Sequence, residues 1–501
     1  MAELLLGLDY GSTIIKAGIF DLEGNEKSIY SGKCDSFSVK AGWYERNLDD
    51  VWQATQEAIS GVLKNAHCTG SDIAAVSLTG HGNGVHLLDE NNKPVRPAIE
   101  GADGRALEYV ERWKKDGSFS KVHPMNMQAM FPAHTLCVMA WLRDNEEESL
   151  KKTRWSMMPK DYIRLMLTGE PWLEYSDSTG SGLINTRDRK IDASMLQHVG
   201  LGFLADKLPP LRYATEQCGT VTEDAAGKTG LCAGTPVAAG CYDIDSAGLA
   251  TGLTDESVMN VIVGSWANNQ FISKEPIISE DFFSSTVYAI EGYYLMLEGS
   301  PTGAMNLEWF VDNFMQAENK AAKESGGNVY KIVNEEVASV KPENNNVIFL
   351  PFLYGSNVHP KAKGTLIGMD GSYGRKEILR AFFEGICFTH RYHIEKLASF
   401  KKLPNVARMS GGAVKSAVWR QMFADILGKS MEVTGVSELG CLGAAMCAAV
   451  CAGSYKDLSE ASSKMVKITG RTDPDPALKT IYDHKYEAYK KYIKALDSCW
   501  S

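Results

Sequence analysis

The 501-residue sequence has no run of roughly 18–20 uncharged apolar residues, the length that a helix needs to span a bilayer. Its nearest approach, Cys441 to Gly453, is too short and too rich in Ala and Gly. Met1-Ala2-Glu3-Leu4-Leu5-Leu6 has no basic n-region and meets Asp9 before an apolar run of signal-peptide length develops, so a cytoplasmic protein is expected. The 11 cysteines are odd in number and contain no Cys-x-x-Cys pair, which argues against a zinc ribbon or a disulfide framework and for reduced thiols. Cys441, Cys447 and Cys451 fall in a small-residue helix and read as packing residues. Positive charge is also short, 52 Lys and Arg against 62 Asp and Glu; the net charge of −10 disfavours nucleic-acid and anionic-membrane partners. No low-complexity tract or interdomain linker breaks the chain, and 44% hydrophobic with 23% charged residues is a globular balance.

Familiar nucleotide motifs are missing as well. Gly227-Lys228-Thr229 and Gly428-Lys429-Ser430 resemble the end of a P-loop, but Thr222 and Phe423 stand where its first glycine is required. Gly80-His81-Gly82-Asn83-Gly84 lacks the spacing of a dinucleotide fingerprint. Nucleotide binding, if present, must use other loops.

What is there begins as strands. Leu4–Leu8, the turn at Asp9-Tyr10-Gly11-Ser12-Thr13 and Ile14–Phe20 form a hairpin, with a third strand after Asn25. Apolar spacing predicts a helix from Leu48 through Leu63, capped by Asn47 or Asp49, and Ile73–Leu78 returns to strand. This alternation predicts α/β layers. A second opening follows at Val258–Val263 with Gly264-Ser265, so the chain reads as an internal duplication divided near Ala247–Asp255. Overlay of the two Gly-Ser turns puts Ile262 where the first copy has Asp9. Residues 316–346 read as a surface helix and loop, and the tail from Pro476 as a helix docked on the body.

Backbone amides at Gly11-Ser12-Thr13 and at Gly264-Ser265 suit anion-binding nests. Asp9 would repel phosphate unless a divalent cation lay between, which makes it a Mg²⁺-site acid or, more plainly, a turn former. Ser410-Gly411-Gly412-Ala413-Val414-Lys415-Ser416 leads into a helical pattern and admits a ring or phosphate at a helix N-terminus, or serves as a tight turn. An apolar strand ends at Gly240-Cys241-Tyr242-Asp243, placing Asp243 as a general base or a helix cap, with Asp245 its unranked competitor. His390 and His393 read as an ordinary helix face.

With these residues the chain resembles the FGGY carbohydrate kinases of the actin-like ATPase superfamily. The similarity runs over most of residues 4 to 453, through GLDYGSTIIKAGIFD, MPKDYIRLMLTGE with Ser176-Asp177, FLPFLYGSNVHP, MSGGAVKSAVWRQMFADILG and the Gly440–Ala449 stretch. The resemblance implies an α/β fold of two ribonuclease-H-like domains with a cleft between them, residues 1–252 and 253–501. It implies Asp243 as catalytic base, Asp9 as the acid that organises Mg²⁺, and Gly11, Ser12, Thr13, Gly264 and Ser265 as phosphate loops. Gly411, Gly412 and Ser416 fall at the adenosine pocket; His81, Gly82, Asn83 and Asp103 fall at the sugar, with Trp43 and Glu45 beside it. The implied cofactors are ATP and Mg²⁺, the implied partner is a small sugar or polyol, and a homodimer is admitted. Gly-Ser-Trp replaces the Gly-Thr-Ser of xylulokinases, and His81–Asp89 is closer to the pattern of L-xylulose kinases, so the expected acceptor is a ketopentose such as L-xylulose. D-Xylulose, a polyol or a sugar acid are alternatives, as is a non-catalytic nucleotide-binding protein. A glycosidase built on Asp243 and Asp245 would leave the phosphate hairpins without a role.

Overall fold

The computed structural model describes residues 3–356 and 358–500; Met1, Ala2, Ser501 and Asn357 of the FLPFLYGSNVHP motif lie outside the described residues. The chain forms two compact units that exchange segments. The first comprises Met1–Thr254, Ile272–Met296 and Val436–Lys467, and the second Asp255–Phe271, Leu297–Gly435 and Ile468–Ser501. The first switch, after Thr254, falls inside the Ala247–Asp255 boundary read from the sequence.

The sheet of the first unit contains β1 (Leu4–Tyr10), β2 (Ile14–Phe20), β3 (Glu26–Lys33), β4 (Ile73–Gly80), β5 (Gln217–Thr220), β6 (Pro236–Ala238) and β7 (Cys241–Tyr242). Its order is β5-β6-β4-β1-β2-β3, with β7 also paired to β4. β1 and β2 are antiparallel with Asp9 opposite Lys16, and β4 runs parallel to β1 with Thr79 opposite Asp9. Side chains alternate across a strand. Leu6, Leu8 and Tyr10 therefore face one way, into a core that takes Val51, Trp52, Ala58, Ile59 and Val62 of the helix Leu48–Asn65. Gly7 and Asp9 face the other way, towards the helix Leu439–Cys451. That helix lies close because glycine stands beneath it: a side chain at Gly7 would overlap the Cys441 carbonyl. Cys441 and Cys447 are fully buried there, and Cys451 is half-buried.

The second unit repeats the pattern. β8 (Val258–Val263) and β9 (Ala267–Ser273) form an antiparallel hairpin, and β11 (Val406–Gly411) runs parallel to β8. With β10 (Tyr294–Ser300), β12 (Ser430–Thr434) and β13 (Ile468–Thr472) the order is β10-β9-β8-β11-β12-β13. A hairpin extended by a third strand, then strands added parallel to the first, is the ribonuclease-H-like arrangement, present here twice. The tail helix Lys479–Leu496 docks on the helix Arg375–Phe400: Arg380 donates to Tyr482 Oη (2.7 Å) and Thr389 bonds Tyr489 (3.1 Å). On that same long helix, His390 Nδ1 lies 2.8 Å from Asn269 Oδ1, and His393 lies between Ser300 and Glu298.

Candidate active site

Tyr10 is paired with Gly80, and Gly80 with Tyr242, so β1, β4 and β7 end together. Asp9 and Asp243 thus come from the ends of the two strands that flank β4. Asp243 opens the helix Asp243–Ala250, is partly buried, and has the Ile244 N–H bonded to it. Desolvation, then the neighbouring Asp9 charge, pushes its carboxyl up to about 7. Desolvation likewise pushes Asp9 up to about 6 against the pull of Lys16, which is itself 2.6 Å from Glu438. The first turn of the helix Leu439–Cys451 lies on Asp9, and a side chain at Gly440 would meet the Asp9 carboxyl. Asp245 is separated from its neighbour by burial. It is fully enclosed, accepts the Ala289 N–H (2.8 Å), and is pushed well above the usual carboxylate range.

At the hairpin tip the Gly11 N–H closes the turn on Ile14 C=O (3.0 Å), leaving the exposed Ser12 and Thr13 to present their amides. Arg46 is fully buried and holds this tip from beneath, donating to the carbonyls of Gly11 (3.3 Å) and Ser12 and pairing with Glu100 (3.1 Å). Glu100 in turn lies 3.7 Å from His81 Nε2. Gly82 packs against the Tyr242 hydroxyl with no space for a side chain, which brings the His81-Gly82 loop beside Asp243. Asn83 is turned inward, its Oδ1 accepting from Thr135 N (3.2 Å). Asp103 accepts from the Tyr44 amide (2.7 Å), the Arg105 amide (2.9 Å), Arg105 Nε (2.8 Å) and Arg105 Nη2 (3.0 Å). Four donors fill the acceptor sites of a carboxylate. Asp103 therefore holds Arg105, which lies over the rings of Trp43 (4.7 Å) and Trp141 (5.1 Å) and also pairs with Glu45 (2.9 Å).

Behind Asp243 lies a buried charged scaffold from the MPKDYIRLMLTGE segment. Lys160 is fully enclosed and meets Asp161 (2.8 Å), Asp177 (3.4 Å) and Glu174 (3.5 Å); Arg164 meets Asp161 (2.7 Å). Glu174 caps the helix Tyr175–Gly180 and accepts from Ser176 Oγ (2.7 Å). Ser176 Oγ accepts the Tyr242 N–H (2.9 Å), so the chain of bonds ends one residue from Asp243.

In the second unit the Gly264 N–H turns back on Trp266 C=O (3.2 Å), and its carbonyl accepts from Ala304 (2.7 Å), with Ser265 exposed. Gly411 has φ +88° and lies edge to edge with Val263 and Gly264; a side chain there would overlap the Val263 carbonyl. Gly412 and Ser416 line a cavity of about 540 Å³ with Asn334, Tyr330, Phe383 and Trp419. Ser416 caps the helix Ala417–Leu427, accepting from Trp419 N (3.1 Å) and donating to Asn334 Oδ1 (2.6 Å). Asn334 and Tyr330 come from the stretch read as surface, while Arg46, Glu100 and Lys160 were not singled out at all. Only the KD pair of the quoted signature could have drawn attention to Lys160.

Two ribonuclease-H-like units, each opening on a hairpin closed by a glycine turn, with an acid beside one turn and an apolar cavity beside the other, make up the actin-like ATPase fold. Two family models match the chain: the N-terminal domain of the FGGY family of carbohydrate kinases over residues 4–250, and its C-terminal domain over residues 259–452. The chain belongs to the FGGY family of carbohydrate kinases, and it is an ATP-dependent sugar kinase. It is 33% identical to the L-xylulose/3-keto-L-gulonate kinase of Escherichia coli K12, covering 99% of this chain and 98% of that protein. It is 32% identical to the probable L-xylulose kinase of Pasteurella multocida, covering 98% of each. Among solved structures, the ligand-bound xylulose kinase of Lactobacillus acidophilus superposes with a TM-score of 0.90 at 21% identity over 99% of both chains, a likeness of fold. Among the described residues, no helix is long and apolar enough to cross a membrane.

Proposed function

We propose that the chain transfers the γ-phosphate of ATP to a hydroxyl of a small ketose, a ketopentose such as L-xylulose, with Asp243 as general base. One observation carries the base assignment: Asp243 is partly open, sits beside Asp9, and is held near pKa 7 by burial and that charge. A carboxylate at that value is ionised in large part at neutral pH yet basic enough to take a hydroxyl proton, a role worth roughly 10²–10⁴ in rate. Buried Asp245 has no such opening, which supports a single base. The exposed amides of Ser12 and Thr13, with Gly11 shaping their turn, support phosphate binding, as do Gly264 and Ser265 in the second copy. Gly412 and Ser416 line the cavity that suits adenosine, with Gly411 joining it to the second phosphate turn. His81 and Gly82 form the sugar wall, while Asn83 and Asp103 act through Thr135 and Arg105 as positioning residues.

Asp9 fits a Mg²⁺ site. Its carboxyl is desolvated beside a second acid, and among the described residues no three metal-ligating side chains gather, so water and phosphate oxygens would complete the shell. When bound, the ion supplies charge stabilisation to the phosphates. The E. coli relative, named for L-xylulose and 3-keto-L-gulonate, and the P. multocida relative, named for L-xylulose, support a ketose acceptor. The 11 free cysteines support a cytoplasmic location. Residues 1–252 and 253–501 are proposed as the functional domains, in line with the two family matches. A homodimer is the assembly to test by sedimentation.

In a coupled ADP-release assay over L-xylulose, D-xylulose, polyols and sugar acids, L-xylulose should give the highest kcat/KM. Asp243→Asn should abolish turnover while ATP still binds; near-wild-type turnover in that variant would refute the assignment.

A further inference from the structure

We propose that Ser176 is a positioning residue for phosphoryl transfer, holding the backbone from which Asp243 starts; the inference rests on the reading of Asp243 as general base. Asp243 is the first residue of the helix Asp243–Ala250, and Tyr242 at its N-cap makes no side-chain cap. A Ser, Thr, Asn or Asp there would fix the helix entry by accepting an amide of the first turn. With tyrosine in that place, the direction in which Asp243 leaves the sheet is fixed from outside the helix.

Two hydroxyls do this on a single peptide group. Thr79 Oγ1 donates to the Cys241 carbonyl (2.8 Å), and Ser176 Oγ accepts the Tyr242 N–H (2.9 Å). Those two backbone atoms belong to the same planar unit, so bonds at both ends fix its plane. Only the torsions of Tyr242 then separate that plane from Asp243. The Tyr242 side chain is confined as well, since a β-carbon at Gly82 would overlap its hydroxyl and one at Gly180 would come within 2.9 Å of its ring.

The Ser176 hydroxyl is itself oriented for the task. It donates to Glu174 Oε2 (2.7 Å), which leaves its lone pairs for the Tyr242 N–H. Glu174 lies 3.5 Å from the enclosed Lys160. The helix Tyr175–Gly180 does not depend on this hydroxyl, because Glu174 caps it through the backbone amides of Ser176 and Asp177. Removing the hydroxyl therefore spares that helix and frees the peptide beside the base.

The test uses the full chain with MgATP and the sugar of highest kcat/KM in the panel above, with the folded fraction read by circular dichroism. Ser176→Ala should lower kcat per folded molecule about ten- to a hundredfold, the loss that a small displacement of a catalytic group brings, with the KM for ATP within about twofold. Burial and the Asp9 charge hold the Asp243 carboxyl at about 7, so a loosened Asp243 should also move the acid limb of kcat/KM to lower pH. Ser176→Cys, similar in shape but a weak acceptor, should resemble Ser176→Ala, and Ser176→Thr, which keeps the hydroxyl, should recover most of kcat. If the alanine or threonine variant does not fold, the cysteine variant decides. Ser176→Ala or Ser176→Cys turning over within about twofold of wild type, or a lost kcat with the acid limb unmoved, would overturn the inference. When Asp243→Asn is inactive beside a normal Ser176→Ala, this inference alone fails; when Asp243→Asn turns over like wild type, the base reading fails and this inference with it.

Discussion

At the end of β1, Asp9 stands two residues before Gly11 and faces Lys16 across the hairpin; at the end of β8, Ile262 stands two residues before Gly264 and faces Asn268. Both turns close through a glycine N–H, on Ile14 in one copy and on Trp266 in the other. The backbone was duplicated and the chemistry was not. The first copy sets a carboxylate held by Arg46 beneath its turn and others held by Lys160 behind Asp243, and the second opens beside its turn into a cavity walled by Phe383, Tyr330 and Trp419. A turn that offers main-chain amides works with any side chain on the preceding strand. That strand end was therefore free to become acidic in one copy and apolar in the other.

The largest expected effect comes from erasing the difference at Asp9. Asp9→Asn keeps the shape and removes the charge, so kcat/KM with MgATP should fall by about 10²–10³, the several kcal/mol a bound divalent ion contributes to charge stabilisation. Nucleotide binding without Mg²⁺ should change little. Equal loss in both conditions, read by calorimetric titration, would mean that Asp9 only shapes the turn.

Next is the scaffold that only the first copy carries. Lys160→Met leaves Asp161, Glu174 and Asp177 together without their shared cation. Breaking a buried ion cluster from one side costs about 3–5 kcal/mol, so the first unit should melt early in calorimetry while the second retains its transition. A single unchanged transition would contradict it.

A smaller, pH-dependent effect follows from the raised carboxyl of Asp243. Its folded pKa is about 7, above the ordinary 3.8, so its protonated form stabilises the fold fully below about 3.8 and that contribution is lost as pH rises through about 7. Asp243→Asn is neutral throughout. Its melting temperature should match wild type near pH 4, exceed it increasingly up to pH 7, and level off above. In wild type the same titration should appear as an acid limb in kcat/KM with an apparent pKa near 6 to 7. A variant less stable than wild type at pH 8 would show that the acid is not strained in the folded state.

What the sequence disclosed of this comparison follows from how local each signal is. The hairpins, the helix over Leu48–Asn65, the acid at strand end and the glycine turns are written in contiguous residues, and the family signatures supplied their order. Arg46 was invisible because its partners are the carbonyls of one loop and Glu100 from another. Asn334 and Tyr330 looked like surface because a helix with Val333 and Val337 as its buried residues has little apolar face; only the approach of Phe383 and Trp419 makes a cavity of it. The segment Val436–Lys467 lies late in the chain but packs in the first unit. It does so because Gly7 and Gly18 leave a shallow floor for its small-residue helix, a fit between two patterns that neither shows alone.

The finest separation of the two copies is at Ser416, on the apolar side. Its hydroxyl accepts the Trp419 N–H and donates to Asn334, so one oxygen both caps a helix and ties down the cavity wall. Ser416→Ala removes the cap at a cost of about 1 kcal/mol and frees Asn334. Because the second copy carries the nucleotide in our reading, the KM for ATP should rise about three- to tenfold, with kcat and the ketose KM nearly unchanged. Ser416→Thr, which can keep the cap, should restore most of the ATP affinity. A fall in kcat with the KM for ATP unchanged would place Ser416 with the catalytic copy and undo the division of labour on which the comparison rests.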